Sequence, residues 1–184
     1  MKSVISWILI LSSISFMIIG LKYLSWTHTI EAAIIEQIQK PAQIIYEYDT
    51  DKGTIVFYQQ VEGQDLSIAF VRESFGRYKV AYSGVTGEVE KSRGLVGFTT
   101  AYYPNIEGVF FPVYLGLITN PEITRLTLSD AKEKMTKEVT IIETDTNRIW
   151  LVDMSEFKEI PSEVLISAYS SDNELIIRQN EHIY

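Results

Sequence analysis

Residues 47–54 read EYDTDKGT, with Asp49 and Asp51 spaced as carboxylates that share a calcium ion would be. A calcium loop of the EF-hand kind takes oxygen ligands at positions 1, 3 and 5, glycine at 6 and a bidentate Glu at 12. Counted from Asp49, position 5 is Gly53, position 6 is Thr54 and position 12 is Gln60, so the pattern fails at three places. A tight turn asks for less: Gly53 supplies a positive φ and Asp51 caps the backbone through its side chain. Asp145 with Asn147, and Asp172 with Asn173, repeat the arrangement ahead of apolar runs. Three such turns in one chain point to β-hairpins, and neither a metal nor any other cofactor is expected.

Cleavage of a glycosidic bond needs two carboxylates at a set separation. Glu88, Glu90 and Glu107, in a Gly-rich stretch, are the first candidates for such a carbohydrate-active hydrolase. Exposed turns, however, lack the burial that raises a general acid's pKa. A Ser-His-Asp arrangement would have to draw on His28 or His182, the only two histidines. No G-x-S-x-G, H-E-x-x-H or Walker loop occurs. No catalytic residue is therefore assigned, and a non-enzymatic protein is expected. The aromatic stretch FTTAYYPNIEGVFFPVYLGLIT offers a different kind of site. In it Tyr102, Tyr103, Phe110, Phe111 and Tyr114 either line a binding groove or fill a core.

The elements that would position these residues begin with an uncharged run at residues 3–21, bounded by Lys2 and Lys22. At 1.5 Å rise per residue, roughly 20 residues cross a hydrocarbon core of about 30 Å. Trp7, Tyr23 and Trp26 fall where interfacial aromatics sit. Residues 1–26 thus read as an uncleaved single-pass anchor in membrane lipid. With one Lys on each flank, the terminal amine and the short N-terminal tail favour an inside N-terminus and an extracytoplasmic C-terminal domain. After the run, all 24 acidic residues face 14 of the 16 basic ones, leaving a net charge of −10. That balance argues against nucleic acid as a partner and against polybasic-type adhesion to anionic lipid.

Residues 27–41 read as a juxtamembrane amphipathic helix, since Ile30, Ala33, Ile34 and Ile38 recur at spacings of three and four and Pro41 stops the pattern. Ile30, Ile34 and Ile38 are the expected helix contacts, on the protein's own sheet, on another membrane protein or on a second copy. No breaker separates this helix from the span, so the two are expected to run as one rod. Residues 42–184 then form a β-rich domain. QIIYEY, TIVFYQQV, DLSIAFV and RYKVAY are strands of an antiparallel meander, with hairpin-length breaks between them. Pro104 and Pro112 argue against an uninterrupted central strand. ITRLTLS, EVTIIET, RIWLVDM, VLISAYS and LIIRQN complete nine or ten strands, enough for two packed sheets in a β-sandwich-like domain with the helix over one open face.

VYLGLITNPEITRLTL, then RIWLVDM, then IPSEVLISAYSSDNELI, within residues 113–177, resembles a pattern in uncharacterised membrane-anchored proteins of Bacillus-type bacteria. The resemblance implies a compact β domain tethered to a Gram-positive cell membrane and carries no catalytic residues. The expected function is a non-enzymatic binding or accessory module of the cell envelope, in contact with another membrane or envelope protein. A self-associating structural anchor and a carboxylate-pair hydrolase are the alternatives.

Overall fold

A computed structural model describes residues 26–61, 65–87, 97–106, 109–130, 135–145, 148–155, 157 and 161–182. Among them, no helix is long and apolar enough to cross a membrane. The predicted span, with Trp7 and Tyr23, lies outside the described residues.

The described chain is mainly β, with antiparallel sheets and one short helix. Strands β1 (Ala42–Thr50), β2 (Gly53–Gln60), β3 (Leu66–Ser74) and β4 (Arg77–Gly87) form the expected meander, in the order β1-β2-β3-β4. The acidic turn closes its first hairpin. Asp49 pairs with Thr54 and Thr50 with Gly53. The Thr50 hydroxyl donates to the Gly53 carbonyl at 2.6 Å, and the Thr54 hydroxyl donates to Asp49 Oδ1 at 2.8 Å.

Helix α1 (Ile30–Ile38) lies on one face of this sheet. Thr29 caps it, its hydroxyl accepting from the Ala32 amide at 3.1 Å, and Gln39 ends it in the left-handed region. Ile34 and Ala33 are buried against Ala42, Val56, Tyr58, Ala69, Val71 and Val80, with Ile30 and Ile38 partly buried beside them. The apolar stripe therefore packs on the protein's own sheet, the first of the contacts expected for Ile30, Ile34 and Ile38, in place of a seam for a partner. Burial of the Ile34 side chain alone contributes about 1.5–3 kcal/mol. The continuous rod is also corrected. Thr29 is extended (φ −137°, ψ 156°), and Thr27 is bridged to Tyr78. The Thr29 cap interrupts any helix arriving from the N-terminal side.

The remaining strands make two further sheets, not one, and the strands number twelve among the described residues. Strands β5 (Ala101–Ile106), β6 (Val109–Ile118), β10 (Arg148–Asp153) and β9 (Thr140–Glu143) form the second sheet, in the order β5-β6-β10-β9. Strands β12 (Leu175–His182), β11 (Glu163–Tyr169), β7 (Arg125–Asp130) and β8 (Thr136–Glu138) form the third, in the order β12-β11-β7-β8. A central strand does pass through Pro112. Pro104 lies on the neighbouring edge strand where the β5–β6 register skips, between Tyr103 and Asn105. The missing proline amides fall at this break in the ladder, where they remove little pairing. EVTIIET, expected as one strand, bends at buried Val139, whose amide donates to the Leu126 carbonyl at 3.1 Å. The chain there passes from the third sheet to the second.

The second sheet is buried on both faces. Val113, Leu115, Leu117, Ile149 and Leu151 meet Ile55, Phe57, Ile68 and Phe70 of the first sheet. Tyr114, Ile118, Trp150 and Val152 meet Leu126, Leu128, Val164 and Ile166 of the third. Strict alternation along β6 and β10 assigns each residue to one core or the other. The order of layers is helix, first sheet, second sheet, third sheet.

Candidate functional site

The aromatic stretch is divided by that alternation. Tyr102 on β5 pairs with Tyr114 on β6, their rings 5.9 Å apart, on the face toward the third sheet. Tyr114 is 3% exposed and stacks edge-on to Trp150 at 5.5 Å, which in turn meets Phe98 at 6.5 Å. Tyr103 points the opposite way and meets the Tyr82 ring of β4 at 5.4 Å. Tyr102 and Tyr103 therefore do not share a groove. Phe110 and Phe111 lie on β6, and their side chains are outside the described residues.

Burial sets the chemistry of these phenols. Tyr114 is pushed up first by desolvation and then by the negative charge of Glu181, against a hydrogen bond with Thr100 that pulls the other way. Tyr103 is pushed up to about 12 by desolvation, with smaller contributions from the Tyr82 phenol and its hydrogen bond. Both remain neutral hydrogen-bonding groups at physiological pH, with no tendency to act as bases. A pH dependence follows. The fold holds the Tyr103 proton more tightly than the unfolded chain does, so the stabilisation is complete below pH 10 and disappears as pH rises to about 12. Denaturant unfolding across that window should show Tyr103→Phe losing less stability than the parent. Equal losses would show that Tyr103 does not carry the effect.

No protein-family model, curated protein or solved structure matches the chain.

The described surface holds two open clefts of note. One, of about 460 Å³, lies where the three sheets meet and is lined by Tyr48, Thr136, Lys137, Glu138, Thr140 and Asp153. Lys137 donates from Nζ to the Asp153 carbonyl at 3.2 Å and lies 5.6 Å from the centre of the Phe157 ring. The other, of about 230 Å³, separates α1 from β4 and is lined by Thr27, Glu36, Gln37, Gln39, Tyr78 and Lys79. Both present hydroxyls, amides and charges suited to polar contact.

Glu88, Glu90 and Glu107 lie outside the described residues, as does Asn147. Asp145 is exposed, and Asp172 and Asn173 form the β11–β12 turn, with Asn173 at φ 61°. Among the described residues, no group of three or more His, Asp or Glu is placed to hold a metal ion. His28 is exposed, and His182 Nε2 lies 3.7 Å from Glu163 Oε1 on the rim of the third sheet.

Sequence reasoning missed the fastening at the start of the described chain. Thr27 and Tyr78 exchange both backbone hydrogen bonds, at 3.0 and 2.9 Å. The Thr27 hydroxyl donates to the Tyr78 carbonyl at 3.1 Å, and Arg77 Nη1 donates to the Trp26 carbonyl at 3.1 Å. The only local signal was the two threonines ahead of the helix, which mark a cap and not a bridge to residues 51 positions away.

Proposed function

We propose that this protein is a single-pass membrane protein whose β domain serves, without catalysis, as an extracytoplasmic binding or accessory module of a Gram-positive cell envelope. The observation that carries the reading is the fastening of Trp26 and Thr27 to β4, five residues after an apolar run long enough to span a bilayer. Four hydrogen bonds within two residues hold Trp26 and Thr27 on β4, which fixes where the chain enters the domain and suits a module that presents set surfaces to its neighbours. The resemblance across residues 113–177 supports the cellular setting.

The chain has no cysteine, so a single one at Lys52, exposed in the β1–β2 turn, reports which side of the membrane the domain occupies. We expect Lys52→Cys to pellet with membranes and to react with an impermeant maleimide in intact cells. Reaction only after lysis would overturn the envelope assignment. Recovery in the soluble fraction would overturn the anchor.

A further inference from the structure

The geometry points to a second membrane contact: the β3–β4 hairpin tip seats Phe75 at the boundary between lipid headgroups and acyl chains, beside the N-terminal span. The inference rests on the anchored reading above and adds how the domain is oriented on the bilayer.

Phe75 is 93% exposed, more than any other large apolar residue among those described. Its backbone is equally unusual. Phe75 (φ 51°) and Gly76 (φ 71°) are the two central residues of a hairpin closed by the Ser74–Arg77 pair. Positive φ at both places is the I′ pattern, which favours Asn-Gly or Asp-Gly because a bulky side chain crowds its own backbone there. The ring thus sits at the tip against both its solvation and its backbone preference. In lipid, the first of these objections is removed.

The tip is also in the right place. Thr27 is bridged to Tyr78, the second residue of β4, so the chain enters the domain at the hairpin's end of the first sheet. Helix α1 then leads away to the far end, where Ala42 pairs with Gln60 and Leu66 with Gly87. Only Lys22, Tyr23, Leu24 and Ser25 separate the apolar run from Trp26, at most about 18 Å of extended chain. Charge fits as well. Residues 72–79 carry Arg72, Arg77 and Lys79 against one acid, Glu73, in a domain where acids outnumber bases by 24 to 14. Lys79 is exposed, while Arg77 holds the Trp26 carbonyl and Arg72 is half-buried, so the tip offers an aromatic ring with an exposed lysine near it, a pairing that headgroup regions accept.

The test uses the full chain in lipid vesicles with Phe75→Cys carrying an environment-sensitive fluorophore. Val61→Cys, 69% exposed at the opposite end of the first sheet, is the comparison. We expect the probe at 75 to be quenched by nitroxide-bearing lipid and several-fold less by aqueous iodide than the probe at 61. Equal iodide quenching at the two sites, in protein that floats with the vesicles, would overturn the inference and leave the anchor intact. Shielding from both quenchers would overturn it in favour of a protein contact. Failure to float would remove the anchor and this inference together.

Discussion

Trp150→Ala is expected to destabilise the domain by about 3–5 kcal/mol, a large part of the roughly 5–15 kcal/mol that holds a fold of this size. Trp150 is fully buried on β10, in the middle sheet, and faces the core shared with the third sheet. Its ring meets Tyr114 and Phe98 edge-on, at 5.5 and 6.5 Å. Truncation leaves a cavity that two sheets, each held by its own ladder, cannot collapse to fill. The indole adds a polar contribution, since Nε1 donates to the Thr99 carbonyl at 2.9 Å. Trp150→Phe keeps most of the apolar volume but leaves that carbonyl without its donor, at about 1–3 kcal/mol. Denaturant unfolding followed by circular dichroism should rank parent, Trp150→Phe and Trp150→Ala in falling order of midpoint. A Trp150→Ala midpoint equal to the parent's would show that the core does not depend on this ring.

Gly116→Ala is expected to be comparably damaging although it adds a single methyl. A Cβ at Gly116 would lie 1.9 Å from the Thr99 carbonyl oxygen, 2.6 Å from its carbon and 2.7 Å from Trp150 Nε1. The two closest atoms belong to backbone, so no rotamer change relieves the clash. The segment at Thr99 must move away from β6. Moving it breaks Thr99 N–H to Leu117 O (2.8 Å), Leu117 N–H to Thr99 Oγ1 (2.8 Å) and the indole bond from Trp150. Three hydrogen bonds at about 1 kcal/mol each, with an overpacking strain of about 1–3 kcal/mol, put the expected loss above roughly 3 kcal/mol. The variant should unfold at much lower denaturant, or accumulate as aggregate. A parent-like midpoint would show that the Thr99 segment can be displaced freely.

Both sites depend on one arrangement, a chain segment at Thr99 laid antiparallel beside β6 and clasped by a tryptophan 51 positions later. The clasp itself was not visible in the Gly-rich region, where Pro104 and Pro112 suggested edges, a bulge or a surface loop; the edge strand β5 and its register break match the first two. The aromatic site shows the same blind spot. Once β5 is known to be a strand, adjacent Tyr102 and Tyr103 must point to opposite faces. An edge strand was among the readings of the prolines, but its pairing and burial were not readable, and so neither was the division of the aromatics.

The sequence by itself determined the features governed by neighbours a few positions apart: the turn at Asp49–Gly53, the meander it opens, the helix stopped by Pro41 and the strands of the last third. Turn and cap residues act within about four positions, so they are readable without a fold. Only the tertiary structure decided that β5 to β12 divide into two sheets, that β6 pairs with β10 across some thirty residues, and that Ile34 belongs to the protein's own core. A strand buried on both faces shows an unbroken apolar run with no polar side to mark its orientation. Its partners are selected by packing between distant segments, and no local spacing records that choice.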